Sequence, residues 1–217
     1  MPTQPDLREP LNQAAARLGL ALSEQQIDRL LAYLALLQKW NRVYNLTAVR
    51  EPGAMLTQHL VDSLSLVDPL RRHTQGRALR LMDVGSGGGL PGVVLAIVMP
   101  ELTVVCVDAV TKKTSFIQQV AAELRLGNLR AEHARVENLK TEPFDVITSR
   151  AFASLLDFTR LTQQHLKPGA IWLAMKGQLP QDEIDALPVT IDMFHVEQLD
   201  VPGTDAQRCL VWMRPKI

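Results

Sequence analysis

Apolar residues recur at helical spacing through the first third of the chain, then give way to short apolar runs alternating with amphipathic stretches. Residues 1–75 read as helical. Ser23 followed by Gln26 has capping-box spacing, and Ile27, Leu30, Leu31, Leu34 and Leu37 then fall on one face, which predicts a helix from 23 to about 40. That leucine and isoleucine stripe is core packing. Residues 41–47 and Pro52-Gly53 break the pattern. A second amphipathic helix over about 54–67 is predicted to stop before Asp68-Pro69, because the residue ahead of a proline disfavours helical backbone.

From residue 78 the period changes. Apolar runs at 79–84, 103–107, 146–148 and 171–175 have strand length. Helices are predicted at 91–98, at 112–126 with Phe116, Ile117, Val120 and Leu124 on one face, and at 154–166, the last closed by Lys167-Pro168-Gly169. Strands alternating with helices imply an α/β fold, a mainly parallel sheet covered on both faces. The stretches 191–199 and 210–213 read as two closing strands, paired antiparallel. The expected organisation is an N-terminal helical extension (1–69) on a main domain (70–217).

A chain of 217 residues accommodates one such domain plus the extension, and 47% hydrophobic with 21% charged residues is ordinary for a soluble protein. Lys+Arg and Asp+Glu both total 23. Net neutrality excludes an indiscriminate nucleic-acid coat, which relies on bulk positive charge, but leaves room for a local basic face. One basic cluster, Arg71, Arg72, His73, Arg77 and Arg80, precedes the main domain; it reads equally as part of a nucleic-acid footprint or as a solvated linker. Cys106 and Cys209 lie in apolar runs and read as buried, reduced thiols. No Cys/His group has metal-ligand spacing, so no metal is expected. Neither a signal core nor a membrane-length apolar run is present, which points to the cytoplasm and away from a membrane partner.

The densest signal is Asp83-Val84-Gly85-Ser86-Gly87-Gly88-Gly89-Leu90-Pro91-Gly92. A strand enters a glycine-rich turn, and Pro91 suits the first turn of the next helix. Bare backbone at Gly85 and Gly87 lets a flat ligand approach closely. Asp108, closing the next strand, offers a carboxylate to ribose hydroxyls. Gly87-x-Gly89-x-x-Gly92 with Asp108 about 20 residues on also fits a dinucleotide fingerprint, so an NAD-dependent oxidoreductase is the first rival. Two points favour S-adenosyl-L-methionine. The chain is too short for a second nucleotide half and a substrate domain. Asp83 is a poor neighbour for a pyrophosphate but suits the cationic methionyl end, directly or through water. The expected fold is thus a class I S-adenosylmethionine-dependent methyltransferase, Rossmann-like, with a seven-stranded mostly parallel sheet.

The motif at 83–92 is similar to that of the small-subunit ribosomal RNA methyltransferase G family, also called glucose-inhibited division protein B. Further matches follow in order: Lys39-Trp40-Asn41, Tyr44-Asn45-Leu46-Thr47, His59-Leu60-Val61-Asp62-Ser63, Arg135-Val136-Glu137, Ser149-Arg150-Ala151-Phe152-Ala153 and Lys176-Gly177-Gln178. The resemblance covers about 23–180. It implies methyl transfer to N7 of a guanine in a 16S ribosomal RNA loop near the decoding centre, with Gly85, Leu90, Val136, Glu137 and Arg150 lining the cofactor pocket. Leu90 stands where many relatives carry Phe; an apolar contact survives either way. The stretch after 180 matches least, and Arg208 is carried over only as an RNA contact.

Guanine N7 is an unprotonated acceptor on the major-groove edge, so its lone pair attacks a methyl group without prior proton removal. Alignment and charge control should dominate, and no strong general base is needed. Consistent with this, the Asn-Pro-Pro-Tyr type motif of exocyclic-amine methyltransferases and the Pro-Cys pair of carbon-5 pyrimidine methyltransferases are both missing. Arg135 and Lys176 are read as cations for RNA phosphates or the guanine, Arg150 as also touching the cofactor, and Asn45 and His59 as groups that orient the base. Their structural alternatives are surface cations for the first three, a loop cap for Asn45 and a satisfied buried histidine for His59. His73, His133, His165 and His195 form no constellation. The expected partner is 16S ribosomal RNA within a small subunit or its precursor, met by a monomer. Other readings are a cofactor-holding ribosome assembly factor with little turnover and a small-molecule or protein methyltransferase.

Overall fold

In the computed structural model, which describes residues 6–150, 152 and 154–216, strands β1 (Arg80–Val84), β2 (Thr103–Asp108), β3 (Leu129–His133), β4 (Phe144–Ser149), β5 (Leu166–Lys176), β6 (Ile191–Gln198) and β7 (Cys209–Pro215) form one sheet. The order is β3-β2-β1-β4-β5-β7-β6. The first five run parallel, and β7 is antiparallel to both neighbours. Strand order therefore reverses between β1 and β4, the switch point beyond whose carboxyl ends α/β sheets bind ligands.

Period-2 alternation sorts the sheet's side chains onto two faces. Leu81, Val104, Cys106, Val146 and Leu173 bury against one helical layer, whereas Met82, Val84, Val105, Val107, Ile147 and Trp172 bury against the other. The first layer holds α1 (Arg8–Arg17), α2 (Glu24–Tyr44), α3 (Pro52–Met55), a π-helical turn (Leu56–Val61), α4 (Asp62–Leu64), α5 (Val67–Thr74), α6 (Gly92–Val98) and α7 (Thr111–Glu123); α8 (Leu155–Thr162) packs on the second, and α9 (Gln181–Asp185) follows β5. The N-terminal helices thus share one hydrophobic core with the sheet.

The Ser23–Gln26 capping box forms as expected and starts α2. The helix passes the expected stop near 40 and ends at Asn45, which adopts left-handed backbone (φ 49°). Asn41 does not break it: the side chain is buried and ties down the following loop, with Nδ2 donating to the Val49 carbonyl (3.2 Å) and Oδ1 accepting from the Thr47 N–H (2.9 Å). The helical stretch that begins at Pro52 ends at Leu64, ahead of Asp68-Pro69 as expected though three residues short of 67, and a new helix starts at Val67. The pair sits in the first turn of α5, where the N–H that proline lacks has no intrahelical partner anyway. Lys167-Pro168-Gly169 lies within β5, which begins at Leu166, rather than in a break that closes the helix, and β3 carries no apolar run, because on its edge position only Leu129 is buried. The antiparallel finish of β6 and β7 is as expected.

Both cysteines are buried and free. The cations of the basic cluster have partners of their own: Arg71 donates to the Val98 carbonyl, Arg72 pairs with Asp68 and Glu197, Arg77 donates to the Thr74 carbonyl, and Arg80 lies over the Phe144 ring. Among the described residues no group of His, Cys, Asp or Glu is arranged to hold a metal, and no helix is long and apolar enough to cross a membrane.

Candidate functional site

Two crevices open at the carboxyl edge of the sheet, one on each side of the switch point. A hydrogen bond from Ser149 Oγ to the Val84 carbonyl (2.8 Å) ties the ends of β4 and β1 together between them. The segment after β4 serves both, Arg150 lining one and Phe152 the other. Ala151 and Ala153 of that motif lie outside the described residues.

The first crevice, about 260 Å³, is built from the ends of β1 to β3 and includes Gly85, Asp108, Arg135, Val136, Glu137 and Phe152. Gly85 has φ +68°, a conformation that L residues rarely adopt, and a Cβ built there meets nothing within 4 Å. The turn therefore offers bare backbone to open space, the geometry a flat, close-packed ligand needs. The Asp108 carboxylate is buried at the rim. Its Oδ2 accepts from the Gly87 N–H (2.9 Å), its Oδ1 from the Val110 N–H (2.9 Å), and Lys113 lies 3.5 Å away. One carboxylate thus fixes the glycine turn against the end of β2 and keeps lone pairs for a ribose. A backbone cradle, an anchored carboxylate and apolar walls at Val136, Phe152 and Leu161 fit an adenosyl group.

Two residues placed at this pocket by the family resemblance lie elsewhere. Leu90 is packed in the core with Leu37, Val93 and Ile117, and Arg150 lines the second crevice. Arg135, expected to grip RNA, lines the first. Asp83 is also not what the sequence suggested. It is fully buried, and its Oδ2 accepts from the Gly92 N–H (2.8 Å), clamping the start of α6 to β1. Burial pushes its carboxyl up to about 7, against the pull of the Gly92 N–H, and Oδ1 has no partner among the described residues. It lines neither crevice, so the argument that it repels a pyrophosphate falls; the argument from chain length stands.

The second crevice, about 350 Å³, is lined by Gln58, His59, Asp62, Arg150, Met175, Lys176, Gly177 and Arg208. His59, Lys176 and Arg208, expected on the substrate side, meet here with Arg150, and Asp62 organises them. Asp62 is buried, with Oδ2 accepting from Arg150 Nη1 (3.0 Å) and Oδ1 from Arg208 Nε (2.6 Å). It therefore holds a guanidinium from the end of β4 beside one from just before β7. The only sequence sign was its place in His59-Leu60-Val61-Asp62-Ser63. Lys176 is not free: its Nζ donates to both Glu183 oxygens (2.9 and 2.8 Å). Asn45 lines neither crevice; its Oδ1 accepts from Arg50 at the end of α2.

His59 sits in the π-helical turn, with Nε2 2.8 Å from Thr47 Oγ1 and Nδ1 buried without a partner among the described residues. Burial, and then the positive charge of Arg150, hold the imidazole below its ordinary pKa of 6.5, so it is neutral at pH 7. Thr47 Oγ1 already accepts from the Val49 N–H (3.2 Å). The extension also reaches the glycine turn directly: Tyr33 Oη donates to the Gly88 carbonyl (2.7 Å) from a fully buried position.

A family model described as rRNA small subunit methyltransferase G matches residues 26–211. Among curated proteins, the ribosomal RNA small subunit methyltransferase G of Leptothrix cholodnii is 61% identical over 98% of this chain and 97% of its own length. That of Acidovorax ebreus is 60% identical over 96% of each chain, and that of Bordetella avium 54% identical over 99% and 96%. Among solved structures, TrmN from Thermus thermophilus aligns with a TM-score of 0.55 at 18% identity, over 74% of this chain and 53% of its own. A ribosomal protein L11 methylase from Lactobacillus delbrueckii subsp. bulgaricus aligns at 0.55 and 14%, over 72% and 77%. At such identities the two structures establish the fold alone.

Proposed function

The chain belongs to the rRNA small subunit methyltransferase G family, and from that premise we propose that it transfers the methyl group of S-adenosylmethionine to N7 of a guanosine in 16S ribosomal RNA. The observation that carries the reading is the pair of crevices meeting at the switch point, one a glycine-lined cradle with an anchored carboxylate, the other rich in cations. The enzyme acts as a monomer in the cytoplasm on a small subunit or its precursor, and the helical extension (1–69) forms one wall of the RNA cleft against domain 70–217.

S-adenosylmethionine supplies a sulfonium-bound, electrophilic methyl group. The chain's own contribution is placement. Gly85, Asp108, Val136 and Glu137 hold the adenosyl and methionyl parts in the first crevice. Arg150 and Arg208, fixed by Asp62, take RNA phosphates or the guanine at the second. Each keeps guanidinium donors beyond those spent on Asp62 and backbone carbonyls. His59, held by Thr47, forms part of the wall of this crevice and leaves the N7 lone pair free. Because N7 carries no proton, no residue has to act as a base, and the buried, neutral state of His59 suits a hydrogen-bonding role. Lys176, held by Glu183, bears on the substrate through its position in the cation group.

Nucleoside mass spectrometry of 16S RNA from a strain lacking the gene tests the reaction, base and atom together. We expect loss of one 7-methylguanosine, restored by the wild-type gene. An unchanged level refutes the proposal and favours an assembly factor. Calorimetry separates the cofactors, with binding of S-adenosylhomocysteine and not of NADH expected.

A further inference from the structure

We propose that the C-terminal end of α2 is a docking surface for the substrate RNA, with Tyr44 as the platform on which an unpaired base stacks; this rests on the RNA methyltransferase reading above. Exposed large apolar side chains are few among the described residues, and two of them are consecutive here: Val43 is 70% exposed and Tyr44 43%. Tyr44 is nonetheless held by its neighbour, its ring packed at 36° to that of Trp40 with centroids 4.9 Å apart, and Trp40 in turn packs on Phe116 and donates to Gln119. A rigid, half-exposed aromatic face with no core role is what base stacking requires.

α2 runs past the glycine turn before it ends at this face. Near its start, Gln26 Nε2 donates to the Val98 carbonyl (3.2 Å), at the far end of α6 from the glycine turn. Midway, Tyr33 reaches Gly88 in that turn. The helix therefore climbs from the amino edge of the sheet to the carboxyl edge. Leu37 lies against the same turn at Gly88, and Trp40 packs on Phe116 and Gln119 of α7, so the last turns of α2 cross α7. The loop that follows returns to the second crevice, since Asn41 holds Thr47 and Thr47 holds His59. The end of α2 is thus tied to the cation crevice through Asn41, Thr47 and His59.

Charge selects the occupant. Between Asp28 and Glu51 the chain has no acidic residue, and Lys39, Arg42 and Arg50 are exposed. Arg50 also braces the left-handed Asn45 through Asn45 Oδ1 (2.8 Å). An exposed aromatic beside Lys39, Arg42 and Arg50 matches single-stranded RNA, whose bases offer π-faces and whose phosphates offer charge.

The test compares wild type with Tyr44→Ala and Tyr44→Phe. Three measurements are read: KM for small subunits lacking the modification, affinity for a single-stranded oligoribonucleotide, and S-adenosylhomocysteine affinity. Tyr44→Ala should raise KM and weaken oligoribonucleotide binding on the order of tenfold. Tyr44→Phe should stay within about twofold of wild type, and cofactor affinity should not change in either variant. Equal KM and RNA affinity for wild type and Tyr44→Ala overturn the proposal. So does an effect on intact subunits with none on RNA alone, which would make a ribosomal protein the occupant. Absence of 7-methylguanosine with the wild-type enzyme counts against the function itself, whereas equal product from wild type and Tyr44→Ala counts only against the docking surface.

Discussion

Replacing Asp62 by Asn tests whether one carboxylate organises the second crevice. The substitution keeps shape and removes charge. Its amide retains one oxygen acceptor, so one arginine keeps a partner while the other faces an N–H2 that cannot accept. Removing one member of a buried ion pair costs about 3–5 kcal/mol because the remaining charge is left desolvated. Here the carboxylate is buried, but the Arg150 and Arg208 side chains are 24% and 28% exposed, so water recovers part of that loss. We expect about 2–3 kcal/mol, which for a chain of this size lowers Tm by about 5–10 °C. Freed guanidinium groups also lose their common register. The KM for small subunits should rise on the order of tenfold, while S-adenosylhomocysteine affinity, set in the first crevice, stays within about twofold of wild type. Scanning calorimetry and steady-state methylation read the two effects separately. A variant that melts within about 1 °C of wild type with the same KM would refute the clamp.

Gly85→Ala and Gly92→Ala should fail differently. A Cβ at Gly85 meets open space, so the variant pays only the backbone strain of about 1–2 kcal/mol yet loses cofactor affinity at least tenfold, because it fills the cradle. A Cβ at Gly92 falls onto Cys106 Sγ and 2.9 Å from Asp83 Oδ2, and overpacking there should cost about 1–3 kcal/mol, read as a lower Tm. The opposite pattern in calorimetry and melting would overturn the division. Asp83, whose folded pKa of about 7 stands above the ordinary 3.8, favours the native state fully below about pH 3.8, and that contribution is lost as pH rises through 7. The Tm of wild type minus that of Asp83→Asn should therefore decline between about pH 4 and 7 and then level off; a flat difference disproves the shift. Tyr33→Phe removes a buried hydrogen bond, so it should cost about 1 kcal/mol and weaken cofactor binding through the loosened turn. Unchanged affinity would leave Tyr33 as packing alone.

What could be read from the sequence was local. The Ser23–Gln26 cap, the strand into Gly85 and the Asp108 carboxylate each act within a few residues of their own position or on the adjacent strand, and the structure places all three where the spacing put them. The strand at 129–133 was not legible because an exposed edge needs no apolar run. Asn41 misled because a buried asparagine that satisfies a loop looks, in sequence, like one that starts it. Asp62 was invisible for a different reason: its partners are 88 and 146 residues away, and no periodicity records such contacts. Lys176 looked free because Glu183, on a short helix of its own, gives no charge pattern that links the two. The error at Asp83 was one of burial: an acid before a glycine turn faces the ligand only if its strand register points it outward. Here period 2 turns it into the helical layer instead.

The helical extension cannot be an ornament on a self-sufficient domain. Every residue of α6 is buried, and a helix that is apolar all round needs cover on all sides. The sheet covers one side, and α2 and α4 cover others. The same extension sets both crevices: Tyr33 braces the glycine turn, while Thr47, His59 and Asp62 shape the cation side. A reaction that needs no base gains its rate from alignment, and alignment between two crevices is only as good as the element common to both. Here that element is the first helical layer. A change that shifts α2 by a fraction of an ångström should therefore disturb cofactor and RNA binding together. Substitutions at Gly85 or at Tyr44, which each touch one side alone, should separate them.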